Sequence, residues 1–257
     1  MDTALKLVPA AIPPPETLRF QEKRETILAA ATRLFNEAGI KGVTLGEIAA
    51  SVGLVTTSIT YYYRRKEDLA TACLLRAIAA RQALAEKASA EPTVQARVTR
   101  YLELRVLKQM SIDSGEQAAP MHFNDIRALP EAQSATVFAA YTEKFRRVRA
   151  LLAGPETAGL GREALNARAH LLLSVANSMY AWLPRYEIDE YPRIAQRLSD
   201  ILLHGLSAPE LAWPDQHMLA ALGLAEPPPA ADSTADAFLR AATELVNEQG
   251  YRGASVD

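Results

Sequence analysis

Between positions 56 and 66 the chain reads TTSITYYYRRK, eleven consecutive residues dominated by hydrogen-bonding and cationic side chains. Thr56, Thr57, Ser58 and Thr60 carry short hydroxyls that both donate and accept. Tyr61, Tyr62 and Tyr63 add phenols, and Arg64, Arg65 and Lys66 add fixed positive charge. Groups of this kind hydrogen-bond phosphate oxygens and the edges of bases when a helix presents them to a groove. One residue at a time, the same composition also suits a polar helix followed by a solvated basic turn. The elements on either side decide between the two.

Upstream, Ile27, Ala31, Leu34, Phe35 and Ala38 recur at i, i+4, i+7, i+8 and i+11, the apolar face of a helix that Gly39 and Gly42 end. Thr44 with Glu47 three residues later has the form of a capping box, opening a second helix with Ile48 and Val52 inward. Gly53 supplies a tight turn. A third helix anchored by Ile59 carries the hydroxyl and tyrosine surface, and a fourth begins beside Lys66, where its first amides also suit a phosphate. Two short helices around a glycine turn are the unit whose second member enters the major groove of a duplex.

The run ILAAATRLFNEAGIKGVTLGEIAASVG, the Tyr-Tyr-aromatic end of the third helix and the Lys-Glu opening of the fourth resemble the DNA-binding domain of the TetR (tetracycline-repressor) family of bacterial regulators. The resemblance covers about a fifth of the chain. It implies phosphate contacts at Thr44, Tyr61 and Lys66 and a groove-facing surface at Thr56, Thr57 and Tyr62. Two positions depart from the family pattern. Val55 stands where a hydroxyl usually caps the third helix, which would pass the cap to Thr56, and Thr60 stands where an aromatic is common.

Composition fits such a regulator. A net charge of −2 excludes a generally basic nucleic-acid coat protein, so affinity for DNA must come from local charge, with Lys23, Arg24 and Lys41 near the basic run. The single cysteine, Cys73, cannot form an intrachain disulfide and points to a reducing cytoplasm. No apolar run approaches the roughly 20 residues of a membrane span. The start, MDTALKLVPAAIPPPETLRF, lacks the layout of a signal peptide, and its prolines suggest a flexible arm over 1–18.

Beyond the reader, expected over 19–70, helical periodicity continues to the end, so the fold class is all-α. The fourth helix should run to about Glu86. Pro92 opens another with Val94, Val98, Tyr101 and Leu102. Phe138, Tyr141, Phe145, Val148 and Leu152 stripe the next. Leu165, Ala169, Leu172, Ala176, Met179 and Leu183 stripe a long one that Leu171, Leu173, Val175, Tyr180 and Trp182 widen beyond one face. Pro192 starts the last of this set, with Ile194, Leu198, Ile201 and Leu202 in phase. The resemblance implies that residues 71–207 bind a small molecule and dimerise through the helices Arg162–Leu183 and Pro192–Leu206. A twofold pair reads two half-sites of a palindrome, where a single recognition helix reads a few base pairs.

Met110, Phe123, Tyr141, Phe145, Met179 and Trp182, with His122, are the residues suited to line a pocket for a small apolar ligand, although the same types at helical spacing also fill cores. His122, His170, His204 and His217 show no metal-ligand spacing, and no cofactor motif is present.

The end of the chain repeats its beginning. LRAATELVNEQGYRG at 239–253 matches LAAATRLFNEAGIKG at 28–42 with nine identities in fifteen positions, both glycines in register. The stretch LAEPPPAADST before it suits a linker, placed over 208–234. Residues 235–257 then read as the first helix of an incomplete second TetR-like unit, and a full tandem chain would pair its own halves as a pseudo-dimer.

The expectation is therefore a cytoplasmic transcriptional regulator, a repressor released from double-stranded operator DNA by a small molecule and working as a homodimer. The alternative is a DNA-binding regulator without a ligand, its helical domain serving to dimerise or recruit a partner protein. An enzyme is disfavoured, because no nucleophile, base and orienting group can be placed together and no phosphate-cradling glycine loop appears.

Overall fold

The computed structural model describes residues 18–123, 126–205 and 233–249, which are helical apart from turns and connections. The first helix, α1 (Leu18–Ala38), starts well before the apolar stripe at Ile27. Its extra turns are held by Phe20, whose ring lies 4.7 Å from that of Tyr62 and 6.0 Å from that of Tyr61. Leu18, placed by sequence in an arm, is the first residue of this helix. The rest of that arm, the linker to 232 and the residues after 249 lie outside the described residues.

At Gly42 an added Cβ would stand 2.3 Å from the Ala38 carbonyl oxygen, so the chain leaves α1 along a path that only glycine follows. The capping box forms at α2 (Leu45–Ser51). Thr44 Oγ1 accepts from the Glu47 N–H at 3.2 Å, and Glu47 Oε2 accepts from the Thr44 N–H at 2.7 Å. A cap of this kind contributes about 1 kcal/mol. Gly53, at φ +65°, turns the chain into α3 (Thr56–Tyr62). The cap does not pass to Thr56. Val55 occupies the N-cap with no side-chain bond, and Thr56 is already helical.

Next comes α4 (Lys66–Ser89), which packs on α1 with its first half and on α5 (Val94–Asp113) and α6 (Glu131–Ala150) beyond it. Ile27, Phe35, Ile48, Ile59, Leu69 and Cys73 form the core of the reader. The same cluster takes in Met121, Ile126, Leu129 and Val137, so the reader's core does not close at residue 70. A second core is built from α5, α6, α7 (Arg162–Trp182) and α8 (Tyr191–His204), with Tyr101, Leu102, Val148, Leu172, Ala176 and Tyr191 inside. Tyr191 donates its hydroxyl to Asp113 Oδ2 at 2.7 Å, pinning the end of α5 to the start of α8.

On α6 the stripe is rotated from the one read in sequence. Phe138 is 48% exposed, and the inward line is Val137, Lys144 and Val148, at i, i+7 and i+11. A lysine thus replaces an aromatic on the buried face, the kind of exchange that hydrophobic periodicity misassigns.

Residues 239–249 of the repeated segment lie in α9 (Thr234–Gln249), with Ser233 Oγ accepting from the Asp236 N–H at 3.1 Å. Its setting differs from that of α1. Ile27 and Phe35 are 0% and 2% exposed, whereas Phe238 is 61% and Val246 39% exposed. Arg127 Nη1 donates to the Asn247 carbonyl at 2.8 Å and ties α9 to the turn before α6.

Candidate nucleic-acid interface

The surface of α3 is set by what lies beneath it. Ile59, fully buried, fixes the helix, and this leaves Thr56, Thr57, Thr60 and Tyr61 exposed, Tyr61 at 76%. Tyr62 is half-buried between Phe20 and Tyr61, whose ring meets it edge-on at 5.3 Å. Tyr63 turns inward instead, 8% exposed, with the Arg24 guanidinium over its ring at 5.9 Å. Of the three consecutive tyrosines, then, two face outward on a platform built by Phe20. Sequence reasoning missed Phe20, although it stands seven residues before Ile27 and so continues the same stripe toward the N-terminus.

The hydroxyls are not equally available. Thr60 Oγ1 donates back to the Thr57 carbonyl at 2.9 Å, which turns it into its own helix. Thr44 Oγ1 also donates to Glu47 Oε2 at 2.8 Å, so its hydroxyl and its amide both serve the cap. These Thr44 bonds, backbone first, hold the Glu47 carboxyl below the usual carboxylate range, with a further contribution from the nearby Lys66. Lys66 Nζ donates to the Lys41 carbonyl at 3.3 Å across the end of α1. Arg65 pairs with Asp68 at 3.2 Å, and Asp68 also takes a hydrogen bond from Gln133 of α6 at 3.1 Å. Arg64 is exposed. Of the six residues read as DNA contacts, Thr44, Thr56, Thr57 and Tyr61 are exposed, and Tyr62 and Lys66 are half-buried. The arrangement presents phenol, hydroxyl and ammonium donors to a polyanion while apolar side chains hold the helix from below.

Of the residues read as pocket candidates, His122 borders the cavity described below, and the other six do not line it. Phe123 and Tyr141 meet edge-on at 5.6 Å at the fringe of the reader's core. Met110 and Phe145 flank the second core, and Met179 lies inside it at 1% exposure. Trp182 lines an outer groove with Ile194, Leu198 and Ile201. A cavity of about 490 Å³ lies elsewhere, bounded by α4, α5 and α7 and by the segment 117–122, with Arg81, Leu84, Leu104, Arg105, His122 and Asn177 among its walls. The overlooked signal was cationic. Arg81 continues the buried stripe Leu74, Ile78, Ala85 on α4, and Arg105 continues Val98, Tyr101, Leu102 on α5.

α4 runs from the reader's core into this cavity's wall at Ala77, and the segment 120–122 makes a second link. Asn36 of α1 donates from Nδ2 to the Pro120 carbonyl at 3.0 Å, and its Oδ1 accepts from the His122 N–H at 2.9 Å. The His122 ring in turn stacks on Tyr180 of α7 at 4.7 Å. No group of metal-ligating side chains and no helix long and apolar enough to cross a membrane occurs among the described residues.

Residues 27–73 match the family model for bacterial regulatory proteins of the tetR family. The HTH-type transcriptional regulator AcrR of Shigella flexneri is 41% identical over 49 residues, which are 19% of this chain and 23% of that protein. The chain thus spans about a quarter of the length of the curated relatives it matches. Among solved structures, the TetR-family regulator PfmR of Thermus thermophilus superposes with TM-score 0.57 at 20% identity, over 75% of this chain and 98% of that one. AibR, solved with isovaleryl coenzyme A and operator DNA, superposes with TM-score 0.55 at 16% identity, over 70% of this chain and 97% of its own. These two likenesses show a shared fold.

Proposed function

We propose that the chain, whose segment 27–73 matches the model for bacterial regulatory proteins of the tetR family, is a cytoplasmic repressor that leaves its operator when a small molecule fills the cavity. The observation that carries the DNA half is the exposure of Thr56, Thr57 and Tyr61 on α3, a helix held from beneath by buried Ile59, with Lys66 opening the next helix. The ligand half is supported by the 490 Å³ cavity and by Asn36, which holds the cavity's 120–122 edge against the reader's first helix. The AibR complex supports the pairing, since that protein is solved with both a small molecule and operator DNA. A homodimer through α7 and α8 would place two α3 helices on successive half-sites of a palindrome. In this reading α9 is a duplicated first helix.

Fluorescence anisotropy with duplexes from the DNA flanking its own gene tests the proposal. Saturable binding to one palindrome is expected, and binding no tighter than to scrambled DNA would refute it. Lys66→Ala should weaken binding to all sequences and flatten the salt dependence by about one unit of slope. An unchanged slope would remove Lys66 from the phosphate contacts. Tyr61→Phe should cost specific binding about 1 kcal/mol. Asn36→Ala should weaken the ligand's effect on DNA affinity more than the DNA affinity itself, measured by anisotropy with and without ligand.

A further inference from the structure

The walls of the cavity hold an unbalanced charge. Arg81 of α4, Arg105 of α5 and Lys144 of α6 gather at one depth of the second domain, with Lys144 fully buried. Among the described residues, the groups that act on Arg81 are Arg105, Tyr101 and Tyr141, and those that act on Lys144 are Arg81 and Arg105, with no carboxylate in either set. Aromatic faces offset part of the cost. Lys144 Nζ is 3.9 Å from the Tyr141 ring centre, and the Arg81 guanidinium is 4.4 Å from that of Phe123. Arg105 Nη2 donates to the Ala176 carbonyl of α7. Among the described residues, Arg105 Nη1, Lys144 Nζ, Asn177 Oδ1 and the Tyr101 hydroxyl are buried without a hydrogen-bond partner. Buried cations and polar atoms left this way are costly unless something pairs with them.

We propose that the cavity binds an amphiphilic organic anion, a carboxylate on an aliphatic body, with its head group against Arg81 and Arg105 and its body along Leu84, Leu104 and Ile112. This rests on the small-molecule reading above and names the ligand's chemistry. A carboxylate accepts two parallel hydrogen bonds from a guanidinium and supplies the negative charge the cluster lacks. A neutral ligand supplies no charge, and a cation adds repulsion. The aliphatic walls suit a hydrocarbon body, as Leu84, Leu104, Leu107 and Ile112 lie on the same cavity as the two arginines. Lys144 lies behind them. Burial first, then Arg81 and Arg105, depress it to about 7, so an anion arriving beside the arginines raises it again and binding takes up a proton near neutral pH.

The test is calorimetry and thermal shift on the full chain with three matched series: straight-chain carboxylates from butyrate to dodecanoate, the corresponding primary amides, and the corresponding amines. The best carboxylate should bind about tenfold or more tightly than its amide, with the amine weaker still. In Arg105→Gln, which keeps a donor for the Ala176 carbonyl, that preference should collapse while amide affinity stays as in the wild type. A merely misfolded variant would lose both. Amides or amines binding as well as carboxylates, or a preference that survives in both Arg105→Gln and Arg81→Gln, would overturn the anion assignment and leave small-molecule control standing. Binding by none of the three series would also overturn it. The broader reading fails separately, if no compound of any charge lowers affinity for the operator.

Discussion

Ile201→Glu should turn the protein into a monomer and lower its operator affinity by about a hundredfold or more, since an unpaired carboxylate buried at an interface costs several kcal/mol. Ile201 is 42% exposed on α8, and the outer groove beside it is walled by Trp182, Ile194 and Leu198. Leu171 on α7 is 55% exposed. Apolar side chains this exposed on α7 and α8 are the surface that a second copy would cover in the homodimer proposed above. Ile201 is the better probe than Leu198, which is half-buried against the subunit's own second core and whose replacement would disturb folding as well. Sedimentation should show the variant at half the mass of the wild type, with an unchanged helical circular dichroism spectrum. A dimeric variant that binds DNA normally would move the interface elsewhere.

The second large effect is one of stability. Lys144→Met should raise the melting temperature at neutral pH, because an apolar chain of similar length in that place carries no charge that burial must strip of water. For a chain of this size each kcal/mol moves the midpoint by roughly 2–4 °C. The wild type should show the matching pH signature. Lys144 is held at about 7 in the folded protein against 10.5 for an ordinary lysine, so between those values the unfolded chain binds the extra proton. Stability should therefore rise as pH climbs from about 7 toward 10.5, and is lowest below 7, where both states are protonated. The rise should vanish in Lys144→Met. An equal rise in both proteins would assign the effect to another group. The same substitution should lessen the preference for carboxylates, so the gain in stability and the loss of ligand response would appear together.

The reader was legible because its signals are local. The capping box at Thr44 and Glu47, the turn at Gly53 and the anchor at Ile59 each depend on residues within a few positions, and each sits in the structure as the spacing indicates. Phe20 was missed because its contact crosses from α1 to α3. The cavity was missed for a different reason. A search for aromatic and methionine residues finds whatever fills a core, and Met179 and Phe145 are packed as such side chains usually are. What distinguishes the site is charge on an inward stripe. Arg81, Arg105 and Lys144 each fall in phase with buried apolar neighbours, but convergence at one place depends on how α4, α5 and α6 cross, which periodicity along one helix does not encode.

Cys73 gives the protein a built-in clock for the reader's opening. It is the sole cysteine of the sequence, it is 1% exposed, and its Sγ donates to the Leu28 carbonyl at 3.6 Å across the seam between α1 and α4. Burial pushes the thiol up to about 11, so at neutral pH it is neither ionised nor reachable by an alkylating reagent while the seam is shut. Its rate of modification then reports how often α1 lifts from α4, and the same inertness makes the native chain a ready blank for a fluorescent or spin label attached at a new cysteine on the exposed face of α3.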